Sequence, residues 1–300
     1  MKKSLIIIAA LVAGIAHATQ VGIASGNPSG TNYAMTQDIV KTCSTPTSPI
    51  KNVSSGGSIE NLFRVHSDSS VQYGITQADA AAYQQIVDPA MMSKVLMVFP
   101  FFSTEFHIIT KDGSNINNLS DLSGRNVIEG AESSGNWVTA QMIQRLTGIK
   151  WHAVHGDLNQ QQGFDAVKAG KADAQIVVAG RPIDMLKGAT GIKLVNVSHP
   201  KLDAYKLYTS TMIFPDKDYP FLKSPVKTYK VDNLLVTYAF KNQYQKEIGE
   251  LVGCITRNVE KLQTTGHPKW RDVDPLAVER IDWPVHPAAL TAIKRENKKK

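Results

Sequence analysis

Two hydrophobic periods alternate along this chain. Val21–Ala24 and Ile50–Val53 read as short strands. Each runs through a Gly/Ser/Thr-rich turn into a segment with apolar residues three or four positions apart. Thr31–Lys41 predicts a helix with Met35, Ile39 and Val40 on one side. Ile59, Leu62 and Phe63 predict a second helix, with Ser58 as its expected cap. Val71, Tyr73 and Ile75 alternate as in a strand and lead into an Ala-rich helix over Gln77–Ile86. Val95–Phe99 and Phe106–Thr110 predict two further strands.

Leu119–Arg125 reads as a short helix, Asn126–Glu129 as a strand, and Val138, Met142, Ile143 and Leu146 mark a helix that stops at Gly148. Trp151–Val154, Ala174–Val178 and Ile192–Val195 are expected strands. Gln161–Ala169 and Pro182–Lys187 are expected helices, the latter with proline in its first turn. Lys227–Lys230 and Asn233–Thr237 read as returning strands, Asn242–Leu262 as a long amphipathic helix, and a last helix follows Pro287. This alternation predicts α/β layers around mostly parallel sheets flanked by helices.

The N-terminus adds a compartment. Lys2 and Lys3 precede an apolar run, Leu5–Ile15, and Ala16-His17-Ala18 has the small-x-small form of a cleavage site. Residues 1–18 therefore predict a signal peptide, with the mature chain starting near Thr19 in the periplasm. The apolar run is too short to span a bilayer comfortably. Losing Lys2 and Lys3 lowers the formal charge from +7 to +5, and part of that excess lies in Lys294, Arg295 and Lys298–Lys300. No basic stripe with interleaved aromatics occurs, so nucleic acid is not an expected partner. The remaining chain, about 280 residues, predicts two lobes. The only cysteines, Cys43 and Cys254, can pair in an oxidising compartment or remain two buried thiols, because sequence does not give their separation.

Candidate chemistry concentrates in three turns, Ser25–Tyr33, Ser54–Asn61 and Gly130–Trp137, each between a strand and a helix. The first turn of a helix carries unpaired N–H groups and the positive end of its dipole. Small hydroxyl residues let an anion approach them. Ser29, Thr31, Asn32 and Tyr33 would offer donors, against the alternative of a plain cap and a packed tyrosine. Gly57 and Ser58 supply a second such start, or a purely structural turn. Gln77 can donate and accept, or lie exposed. Ser133, Ser134, Gly135 and Asn136 would close from the other side, with Trp137 covering an apolar part of the ligand or packing in the core. Arg181, after Gly180, can clasp a carboxylate bidentately or form an ion pair. His152 and His155 would face opposite sides of a strand, which argues against one metal. Glu129 and Glu132 stand without a nucleophile elbow or metal cluster. No metal, cofactor or catalysis is expected.

Several segments resemble the solute-binding subunits of TRAP transporters of the TAXI family, over nearly the whole mature chain. They are the opening loop Ser25–Tyr33, Gly56–Leu62 (GGSIENL), Tyr73–Asp79 (YGITQAD), Leu119–Val127 (LSDLSGRNV), Ala166–Ala174 (AVKAGKADA) and the return segment from Val226 through Thr237. The chain departs from that pattern at Asn27-Pro28, Asn32 and Arg181. The resemblance implies a type II-like periplasmic binding protein with a ligand cleft at its hinge. Lobe one would comprise 19–107 plus 212–300, and lobe two 108–211. It implies a monomer that passes a small organic anion, an acidic amino acid or dicarboxylate, to TRAP membrane permease subunits. A partner of a membrane sensor, or an exported enzyme using the same cleft, are the alternatives.

Overall fold

Two strands longer than the sequence pattern suggests organise the fold. The computed structural model describes residues 20–132, 134–154, 158–239 and 245–299. The expected signal peptide, Ser133, His155 and the expected start of the late helix at Asn242 lie outside these described residues. The strands are β1 (Val21–Gly26), β2 (Ile50–Ser54), β3 (Tyr73–Gln77), β4 (Val95–Lys111), β5 (Asn126–Ile128), β6 (His152–Ala153), β7 (Ala174–Ala179), β8 (Ile192–Leu194), β9 (Tyr208–Ile213) and β10 (Val226–Tyr238). The helices are α1 (Thr31–Cys43), α2 (Ser58–Ser67), α3 (Ala78–Val87), α4 (Pro89–Met92), α5 (Gly135–Thr147), α6 (Gln160–Lys168), α7 (Pro200–Asp203), α8 (Gln245–Thr265) and α9 (Pro287–Asn297).

The strands form one 10-stranded sheet in the order β2-β1-β3-β10-β4-β7-β5-β6, with β8 on β4 and β9 on β10. Its flanks, β2-β1-β3 and β7-β5-β6, are parallel. Its centre is antiparallel, since β10 pairs with β3, β4 and β9, and β4 with β7. The α/β class holds, but the sheet is mixed rather than mostly parallel. The reason is that β4 and β10 each run through both halves. Val95–Phe99 and Phe106–Thr110 are one strand, and so are Lys227–Lys230 and Asn233–Thr237.

The register between β4 and β10 shifts between Asp232 and Leu234, opposite Ser103 and Pro100. A bulge there tolerates Pro100, which cannot donate to the ladder, and concentrates the bend of both strands. Beyond it, Val226–Val231 and β9 lie on the β7 side of the sheet. β10 thus pairs with β9 through Val226–Val231 and with β3 through Asn233–Thr237. The Pro182–Lys187 helix reduces to a 3-10 turn at Asp184–Leu186.

Buried apolar faces of α1, α3, α5 and α8 cover the sheet in one continuous core with β3, β4 and β10. Cys43, at the end of α1, and Cys254, in α8, form a disulfide with a Cα separation of 5.9 Å. No helix among the described residues is long and apolar enough to cross a membrane.

Candidate functional site

The parallel flanks direct strand ends, and the helices that follow them, towards the bulge. Three strand-to-helix turns meet there around a cavity of about 110 Å³ lined mainly by Gly, Ser, Thr, Asn and Gln. Gly30 and Gly57 begin α1 and α2 without any side-chain cap, which leaves first-turn N–H groups for another acceptor. Gly57 has φ of 127°, a conformation that favours glycine. Ser134 begins α5 and accepts from Trp137 N at 3.2 Å. Ser58 is the first residue of α2 rather than its cap, and its hydroxyl accepts from Gln77 N at 3.2 Å.

The two sides of the sheet touch across this cavity. A Cβ on Gly135 would stand 1.4 Å from Gln77 Oε1, and one on Gly57 would stand 3.2 Å from Ser134 Cα. Thr31 Oγ1 donates to the Gly180 carbonyl at 3.4 Å. Further out, a second cavity of about 530 Å³ opens between α1 and Pro182–Met185, sharing Thr31 and Gln160 with the first.

Thr31, Asn32, Gly57, Ser58 and Gln77 line the inner cavity from one side, and Ser134, Gly135, Asn136 and Gly180 from the other. The Asn136 amide is fixed by Val178 N, which donates to its Oδ1 at 2.9 Å. Other expected residues lie elsewhere. Ser29 is on the outer cavity and bonds Asn27 through its N–H and hydroxyl. Tyr33 does not line the inner cavity, and its carbonyl accepts from Asn52 Nδ2 at 2.9 Å. Trp137 packs edge-on against Tyr83 at 5.8 Å.

Arg181 is the clearest displacement. Its Nε lies 3.3 Å from Glu105, its Nη1 lies 2.9 Å from Asp218, and Nη1 also donates to the Met212 carbonyl. Glu105 is also held by Lys269 Nζ at 2.8 Å, and Lys269 by Asp272 at 2.5 Å. Glu105 and Lys269 are both buried. These cations are consumed by carboxylates, and no charged side chain lines the inner cavity among the described residues. Arg181→Lys should therefore change ligand affinity by less than about threefold, for mono- and dicarboxylates alike. A selective loss of dicarboxylate binding in calorimetry would place the guanidinium on the ligand instead.

Two buried titratable groups serve structure. Asp79 joins α3 to α5 and β9, accepting from Thr139 Oγ1 at 2.7 Å and Tyr208 Oη at 2.9 Å, and burial pushes its carboxyl up. His107 lies between the Glu105 carbonyl and the Tyr219 hydroxyl, and burial pushes it down to about 3. Among the described residues, no group of three or more His, Cys, Asp or Glu could hold a metal ion.

Sequence reading missed Thr104 and Asn233, which line the cavity from the two crossing strands. Their signal is a polar residue inside a buried apolar run, FFSTEFHII and VDNLLV.

A family model described as the NMT1-like family matches residues 23–294. Solved structures share the fold at low identity. One, described as a periplasmic transporter, is 12% identical with a TM-score of 0.55, covering 94% of this chain and 96% of its own. The substrate-binding protein of an amino acid ABC transporter is 8% identical, TM-score 0.52, covering 81% and 94%. A structure from work on glutathione import via GshT and the cystine ABC importer TcyBC of Streptococcus mutans is 14% identical, TM-score 0.51, covering 86% and 97%.

Proposed function

The chain belongs to the NMT1-like family, and from that membership we propose that it is an exported, periplasmic solute-binding protein. It holds a small carboxylate, an acidic amino acid or dicarboxylate, between two lobes and delivers it to the membrane permease of a TRAP-type transporter. One observation carries this reading. The uncapped starts of α1 and α2 and the start of α5 converge on one cavity at the crossing of β4 and β10. Such starts favour an anion without any fixed cation. The lobes would pivot where the two strands bend, and closure would exclude water and complete contacts from both sides. No chemistry is required of the site.

The names of the structural neighbours support a transport role, and the segments resembling TAXI-family subunits support the TRAP type. A ligand present at a thousand times its Kd stabilises by about 4 kcal/mol. In a protein of this size, that raises the melting midpoint by roughly 8 °C or more. A thermal-shift screen of amino acids, dicarboxylates, oxo acids and sugars checks this. A response to neutral sugars alone removes the carboxylate reading. Uptake of the identified ligand should then be lost on deleting TRAP permease subunits and survive loss of ATP-driven importers.

A further inference from the structure

We propose that Asn233 reads a nitrogen donor on the ligand, so that the site takes a zwitterionic amino acid in preference to a dicarboxylate. This rests on the carboxylate reading above and chooses between its two members. Asn233 is fully buried on β10 at its register shift with β4, opposite Gln77 in the β3 register. Its Nδ2 donates to the Phe102 carbonyl at 3.1 Å and to Thr104 Oγ1 at 3.2 Å. Those two bonds fix which end of the amide is which. Its Oδ1 is buried and finds no partner within the protein.

The nearby hydroxyl cannot supply one. Thr104 Oγ1 accepts from Gln77 Nε2 at 3.3 Å and donates its single proton to the Val231 carbonyl at 3.4 Å. A second carbonyl oxygen, Asn32 Oδ1 in the first turn of α1, is likewise buried without a protein partner. Both residues line the inner cavity. An amide oxygen can only accept, so a carboxylate cannot satisfy either atom. An ammonium brings three donors of the kind these oxygens lack, while the helix starts hold the carboxylate. A second carboxylate in the place of that ammonium would offer these oxygens no donor and would meet no free cation among the lining residues described, because the nearby Arg181 and Lys269 are occupied by Glu105, Asp218 and Asp272.

Calorimetry on the exported protein with matched pairs tests this: L-glutamate against glutarate and 2-oxoglutarate, and L-leucine against 4-methylpentanoate. The amino member of any pair that binds should be at least about tenfold tighter. Asn233→Ala should cut that ratio below about threefold by weakening the amino member alone. Equal affinities within a pair overturn the proposal and leave the carboxylate reading standing. So does a ratio that survives Asn233→Ala. The wild-type ratio decides even if that variant does not fold. If no carboxylate binds, both readings fall together.

Discussion

Gly135→Val is expected to abolish tight ligand binding and to leave the protein folded. Gly135 opens α5 on one side of the cavity, and its missing Cβ is the space that Gln77 and Ser58 occupy from the other. A Cβ would meet Gln77 Oε1 at 1.4 Å, Gln77 Cδ at 2.5 Å and Ser58 Oγ at 2.9 Å. The end of a glutamine usually swings aside. This one is held, with its Nε2 on Thr104 at 3.3 Å and its backbone N on Ser58 at 3.2 Å. On the proposed reading, closure brings these groups together only in the liganded form, so the substitution acts there and spares the open form. Affinity should fall by about 100-fold or more, which corresponds to roughly 2.7 kcal/mol. The midpoint of the unliganded protein should move by no more than about 2 °C. Ser134→Leu should act in the same direction but also loses the cap on Trp137 N, a cost of about 1 kcal/mol to the helix itself. Gly135 is therefore the cleaner probe. A folded Gly135→Val protein with unchanged calorimetric affinity would place the site elsewhere.

Removing the disulfide has the opposite profile, a large loss of stability with little loss of affinity. Cys43 and Cys254 are separated by 211 residues in the chain. In the chain-entropy model, closing a loop of that length is worth about 5 kcal/mol as an upper figure. The double variant Cys43→Ala/Cys254→Ala should melt several degrees, up to about 10 °C, below the oxidised protein. The bridge sits at the far end of α1 from the turn that meets the cavity. Affinity at a temperature where the variant is folded should stay within about threefold. Calorimetric melting with and without reductant measures the first effect, and mass spectrometry of the non-reduced protein should show the linked peptides. Full alkylation of both thiols without reductant would rule the bridge out.

The site was legible in the sequence where its chemistry is local. A helix start is set by the few residues around it, so Ser25–Tyr33, Ser54–Asn61 and Gly130–Trp137 could be read as anion-accepting turns without knowing what they face. Thr31, Ser58 and Ser134 all line the cavity. Where an extended turn or long side chain was involved, the sequence left a ligand role and a local packing role open. Ser29 folds back on Asn27, and Trp137 packs on Tyr83.

The sequence by itself determined the alternation of strands and helices and the polar turns between them, because each depends on neighbours in the chain, and its two cysteines allowed a disulfide. Tertiary structure alone decided the rest. That β4 and β10 cross both halves depends on a bulge at Pro100 and Asn233, which no local period reveals, and it turned an expected parallel sheet into a mixed one. It also brought Thr104 and Asn233 to the cavity. Arg181 could be read as a ligand clasp or as half of an ion pair because its partners are distant, with Glu105 and Asp218 lying 76 and 37 residues away. A charge is neutralised by what is near in space, and the chain order does not record that distance.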